Sequence, residues 1–140
     1  MEKIIRNAML AFIILATSLG CSLPVIGGGS RIKIQPGDWS GKADQAIFLT
    51  SFKVAEDGSS LTLASYSYSC GAGRFIGVIP AKPLNVKINQ NGFEVKETNV
   101  SFTGKFSDAT HIEGTWVVVA HKSGTNNCPA AQGTWKGAPK

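Results

Sequence analysis

Few side chains in this sequence are of a type and spacing that could do chemistry. His111 and Glu113 stand two residues apart, with Asp108 just before them. In a strand that spacing puts an imidazole and a carboxylate on one face, the minimum for a two-ligand metal site or an acid–base pair. No third His, Asp or Glu is tied to them by spacing, so they read as a solvated pair and no metal is assigned. His121-Lys122-Ser123 sets a base beside a nucleophile in sequence only, because adjacent strand residues point to opposite faces. Gly71-Ala72-Gly73-Arg74 has glycines for a backbone anion nest, but lacks the helix and the Lys-Ser/Thr of a phosphate loop. It reads as a hairpin turn. No catalytic set assembles, so the chain is expected not to be an enzyme, with no catalytic residue and no cofactor.

The N-terminus carries an address. A charged start (Lys3, Arg6) precedes an apolar run of 12 residues from Ala8 to Leu19. As a helix that run spans only ~18 Å, against ~30 Å for a hydrocarbon core, which suits a signal h-region over residues 1–20. Thr17-Ser18-Leu19-Gly20-Cys21 resembles the lipobox of bacterial lipoprotein precursors, with the small Gly20 before the cysteine and departures at Ser18 and Leu19. The resemblance implies cleavage before Cys21 and attachment of membrane lipid, a palmitate-type anchor, to its thiol. The chain has 3 cysteines. Lipidation of Cys21 leaves Cys70 and Cys128 as an even pair, free to form a disulfide in an oxidising compartment. Their wide separation and the lack of a Cys-x-x-Cys pair count against zinc. Residues 21–30 end in Gly27-Gly28-Gly29-Ser30, the composition of a flexible tether. The expected location is the bacterial cell envelope, lipid-anchored, at the outer membrane if the cell has one.

The 140 residues carry a formal net charge of +5, which falls to +4 once the first 20 are removed. The lysines are scattered singly rather than gathered in a stripe, which counts against a nucleic-acid partner. What remains after residue 30 is enough for one domain.

From Arg31 onward the apolar period is two. Val100, Phe102, Gly104 and Phe106 alternate with Ser101, Thr103, Lys105 and Ser107, giving a strand with one dry face and one wet face. Ile112, Gly114, Trp116, Val118 and Ala120 share one face of the next, His111–Ala120. Further strands are expected at 47–54, 61–69, 75–79, 84–89, 93–96 and 132–137. Asn89-Gln90-Asn91-Gly92 and Glu56-Asp57-Gly58-Ser59-Ser60 mark tight hairpins, and Pro80 and Pro83 bracket a connection at a sheet edge. The fold class is all-β: an antiparallel meander of about eight or nine strands over residues 31–140, forming a small barrel or sandwich.

A Gly-x-Trp motif recurs at Gly37–Trp39, Gly114–Trp116 and Gly133–Trp135. The shared face leaves room beside each indole, and motifs at both ends of the domain imply that first and last strands pair, closing or nearly closing the sheet. The body also resembles a recurrent all-β domain of uncharacterised secreted bacterial proteins. The likeness lies in Trp39, Phe52/Val54, Cys70, the run Phe102–Asp108, Ile112–Thr115, Cys128 and Trp135. It implies a fold and no activity.

If the two cysteines join, the loop 121–131 is stapled to the Cys70–Arg74 turn. Arg74, His121, Lys122, Asn126 and Asn127 then form the candidate binding corner, since long loops often carry function. The function expected is a non-catalytic binding or structural module with an unknown protein or glycan partner. Two alternatives stand beside it: a calycin-like small barrel holding an apolar ligand, which needs an interior cavity, and a periplasmic enzyme inhibitor.

Overall fold

A computed structural model describes residues 30–43, 47–71 and 73–140; the expected signal peptide, Cys21 and the tether through Gly29 lie outside the described residues, as does Ala72. Every element is a strand: β1 (Gly37–Lys42), β2 (Phe48–Val54), β3 (Ser60–Ser69), β4 (Phe75–Val78), β5 (Leu84–Lys87), β6 (Gly92–Lys96), β7 (Val100–Phe106), β8 (Ile112–Val118), β9 (His121–Ser123), β10 (Asn126–Cys128) and β11 (Ala131–Pro139). The all-β expectation holds, with more strands than the periodicity indicated.

The main sheet is antiparallel and curls into a half-barrel in the order β4-β3-β2-β1-β11-β8-β7-β6. First and last strands do pair, with Trp39 opposite Pro139 and Gly41 opposite Gly137. That pairing does not close the sheet, because it lies at the centre and joins two four-stranded meanders. The edges are β6 on one side and, on the other, β4 and β5, which share β3.

β3 serves two neighbours through a bulge. Ser51 pairs with Ser65 while Phe52 pairs with Leu63, so Ala64 is an extra residue. The buried set accordingly switches from Leu61 and Leu63 to Tyr66 and Tyr68. A bulge bends its strand and sharpens the twist. Here the first half of β3 pairs with β5 and the second half with β4.

The concave face is filled by aromatic rings. Trp39, Phe48, Phe52, Phe102, Phe106, Trp116 and Trp135 are each at most 2% exposed. Phe48 stacks on Trp116 with centroids 5.7 Å apart, and Trp39 meets Phe106 edge-on at 5.3 Å. Glycines on neighbouring strands make the room. In the β8–β11 register Gly114 faces Trp135 and Trp116 faces Gly133, so each motif's glycine accommodates the other motif's indole. A Cβ on Gly133 would lie 3.0 Å from Trp116 Nε1, and one on Gly114 would lie 2.7 Å from Trp135 Nε1 and inside the carbonyl oxygen of Thr103. Gly104 does the same for Phe93, its Cα partner. The opening motif differs: Gly37 has φ +110° and open space around it, and Gly41 is the glycine that lies against Trp135.

The turns fall close to expectation. In the β5–β6 turn the positive φ values belong to Gln90 (49°) and Asn91 (63°), one position earlier than an Asn91-Gly92 centre requires. Gly58, at φ +64°, closes the β2–β3 turn, and Asp57 accepts hydrogen bonds there from the amide and hydroxyl of Ser59.

Strict alternation in β7 leaves Phe102 and Phe106 1% exposed and Lys105 in solvent. Truncating Phe102 to Ala is expected to cost ~3–5 kcal/mol in chemical denaturation and Lys105→Ala under ~0.5 kcal/mol. The reverse order would contradict this register.

Candidate functional site

The β8–β11 hairpin does not end where the main sheet ends. Beyond Val118 the chain continues into β9 and β10, which pair as a separate two-stranded ribbon, Cys128 opposite His121 and Asn126 opposite Ser123. The segment 121–131 is therefore a ribbon rather than an open loop, and Gly124 (φ +60°) sits at its tip. Polar residues on both of its faces remove the alternation by which strands are recognised.

A Cys70–Cys128 disulfide pins this ribbon, with Cα atoms 4.5 Å apart. Cys70 closes the β3–β4 turn, where its amide donates to the Arg74 carbonyl, and Cys128 ends β10. The bond spans 58 residues. Closing a loop of that size destabilises the unfolded chain by roughly 4 kcal/mol on the chain-entropy argument.

Beneath the ribbon, buried Tyr68 and half-buried His121 form a hydrogen-bonded pair. Tyr68 Oη lies 3.0 Å from His121 Nε2, and His121 Nδ1 lies 2.8 Å from the Val119 carbonyl. A carbonyl only accepts, so the neutral ring carries its proton on Nδ1 and Nε2 accepts from the Tyr68 hydroxyl. Burial pushes the Tyr68 phenol up from its ordinary value, which keeps it a donor. Tyr66, two residues earlier on the same strand, is pushed up to about 12 by burial, with the Glu97 charge adding to it.

The five residues expected at the binding corner gather here. Arg74 donates to the Asn126 side-chain oxygen across the two turns. His121, Lys122 and Asn127 line a shallow hollow of about 660 Å³ together with Cys70, Gly71, Ala120 and Pro129. Arg74, Lys122 and Asn127 are exposed, while His121 is half-buried by its contact with Tyr68. The surface therefore offers cationic and amide donors over a rigid, covalently tied base. Tyr68 is the residue that spacing did not single out, because it reads simply as one of the apolar positions of β3.

His111 takes a different partner from the one its spacing suggested. Its Nδ1 lies 2.9 Å from Asp108 Oδ2, not against Glu113, and Asp108 also accepts from the backbone amides of Thr110 and His111. Those backbone and side-chain donors hold the Asp108 carboxyl down at about 2. Glu113 lies instead between Lys105 and Lys136 as their Cα partner. Among the described residues no group of three or more His, Cys, Asp or Glu could hold a metal ion. Comparison with known proteins gives no significant match to a family model, a curated protein or a solved structure.

Since the disulfide holds the ribbon but not the aromatic core, reduction is expected to act locally first. Amide hydrogen exchange should quicken across His121–Cys128 at a reductant level that leaves Phe102 and Trp116 protected. Equal loss of protection in both regions would show that the ribbon and core open together.

Proposed function

We propose that this chain is a lipid-anchored envelope protein whose β domain is a non-catalytic binding module, presenting the stapled corner to a protein or glycan partner. The observation that carries the reading is the polarity of the domain. The chain enters at the end marked by the β5–β6 turn, where Asn91 Oδ1 accepts from the Ile32 amide 3.0 Å away. β3 starts at that end, since Ser59 bonds the backbone of Ile88, and reaches the other end at Cys70. Its 10 residues span about 33 Å. An anchor at Cys21 would thus hold the entry end near the membrane and leave the ribbon, Arg74 and Lys122 facing away from it.

Two further observations support the reading. The disulfide uses two of the 3 cysteines and leaves Cys21 as the one outside it, as lipidation of that residue requires. The interior is occupied by rings in mutual contact, such as Phe52 on Phe93 at 5.7 Å and Phe102 on Phe48 at 5.3 Å. That packing favours recognition on the surface over carriage of an apolar ligand inside.

The test has two arms. Labelled palmitate should enter the wild type and not Cys21→Ser, and equal labelling would remove the anchor from the account. From envelope extract, the domain should retain a partner that the combined Arg74→Ala, Lys122→Ala and Asn127→Ala variant loses by about tenfold or more. Equal retention by the two proteins would remove the corner.

A further inference from the structure

Lys42 and Lys136 stand directly opposite each other on the convex face, as Cα partners in β1 and β11. Directly opposed side chains on one face have Cβ atoms about 4.5–5.5 Å apart, and like charges there destabilise the pair. The same row continues through Glu113 to Lys105, so three ammonium groups share one carboxylate across β7, β8, β11 and β1. The ion pairs found among the described residues are Lys96–Glu94 and His111–Asp108. Neither involves these lysines, although a sequence with 9 acidic residues had the means to pair them.

The two lysines also line a hollow of about 640 Å³ on that face. Gly41 and Gly137, themselves directly opposed, lie between this row and the Ser40–Ala138 row and contribute backbone to its floor. Ser40 contributes a hydroxyl to the wall, and Leu49, 39% exposed, an apolar patch. His111 stands at the rim with Nδ1 held by Asp108, which leaves Nε2 as its free ring nitrogen. Two ammonium groups with only the shared Glu113 carboxylate beside them, a hydroxyl and an apolar wall around a concave backbone floor form a receptor for an anionic head on a partly apolar body.

We propose that this hollow binds a small molecule through a carboxylate or phosphate group clamped between Lys42 and Lys136. The bound anion replaces repulsion between the lysines with two charge-assisted hydrogen bonds. Ser40 adds a neutral donor, and Leu49 packs against the rest of the ligand. The site lies on the convex face of β1 and β11, away from the ribbon, and its occupancy is independent of the membrane anchor and of the stapled corner.

The experiment is a titration of the ¹⁵N-labelled full-length protein with inorganic phosphate in one arm and hexanoate in the other, at ionic strength fixed with chloride. The Gly41 and Gly137 amides should shift saturably in at least one arm, and the arm that binds more tightly identifies the head group. Lys42→Gln and Lys136→Gln should each weaken binding about tenfold, the loss of one charge-assisted contact. Lys53→Gln, on the same convex face beyond the hollow, should leave it unchanged. Lys42→Gln should melt no lower than the wild type, since a repulsion has been removed, so its weaker binding cannot come from unfolding; Lys136→Gln also loses its cross-strand partner Glu113, and its binding is read below its own melting transition. The proposal is overturned if neither arm gives saturable shifts, if both hollow variants keep them, or if Lys53→Gln removes them equally.

Discussion

The fold depends on one indole. Trp135, in the last strand, is 1% exposed and lies across Gly114 of β8, so that its Nε1 donates to the Thr103 carbonyl of β7 at 2.8 Å. One side chain thereby ties three strands. The β7–β8 register pairs stop at Phe102–Trp116 and resume at Lys105–Glu113, and Trp135 fills that interval. The Thr103 hydroxyl, 3.3 Å from the Thr115 amide and 3.0 Å from its hydroxyl, supplies the bonds that the ladder would otherwise make. Burying an indole with its N–H satisfied contributes far more than one ladder hydrogen bond. Trp116 shows the opposite balance: its Nε1 is buried with no hydrogen-bond partner among the described residues, and ring packing against Phe48 has to outweigh that.

This constraint propagates outward. Rings laid over glycines pull neighbouring strands close on the concave side, so the sheet curls, and the rings then fill the space that the curl encloses. With rings in mutual contact inside, the proposed recognition lies on the rim or the convex face. The β3 bulge at Ala64 and the Cys70–Cys128 bond arrange the rim far from the chain's entry. Gly41, needed inside to make way for Trp135, lies with Gly137 beside the Lys42–Lys136 pair, where their backbone helps to line the convex hollow. Packing within and the proposed binding without meet at Gly41.

Much of this was legible in residue types. Alternation placed the dry faces of β7 and β8 because their convex sides are polar as far as Thr115, and the repeated Gly-x-Trp pointed to the pairing of first and last strands. It did not show that the pairing lies at the centre of the sheet, since strand order depends on contacts far apart in sequence. The bulge is visible as a change of parity from Leu61 and Leu63 to Tyr66 and Tyr68, a signal that a period-two reading passes over. The ribbon was missed because residues 121–128 are polar throughout, and the convex hollow because Lys42 and Lys136 are nearly a hundred residues apart in sequence. The corner residues were legible once the disulfide was assumed, since that bond alone brings Arg74 to Asn126.

The central claim is that the glycine opposite Trp135 is required by the indole rather than by chain flexibility. It is tested most directly by comparing the unfolding free energies of Gly114→Ala and Gly77→Ala. Gly77 is also a strand glycine, but a Cβ there meets nothing within 4 Å. Gly114→Ala should lose about 3 kcal/mol, because the methyl group overlaps the Thr103 carbonyl and displaces the indole. Gly77→Ala should be neutral or gain up to ~1 kcal/mol from a less flexible unfolded chain. A Gly114→Ala protein as stable as the Gly77→Ala protein would contradict the account.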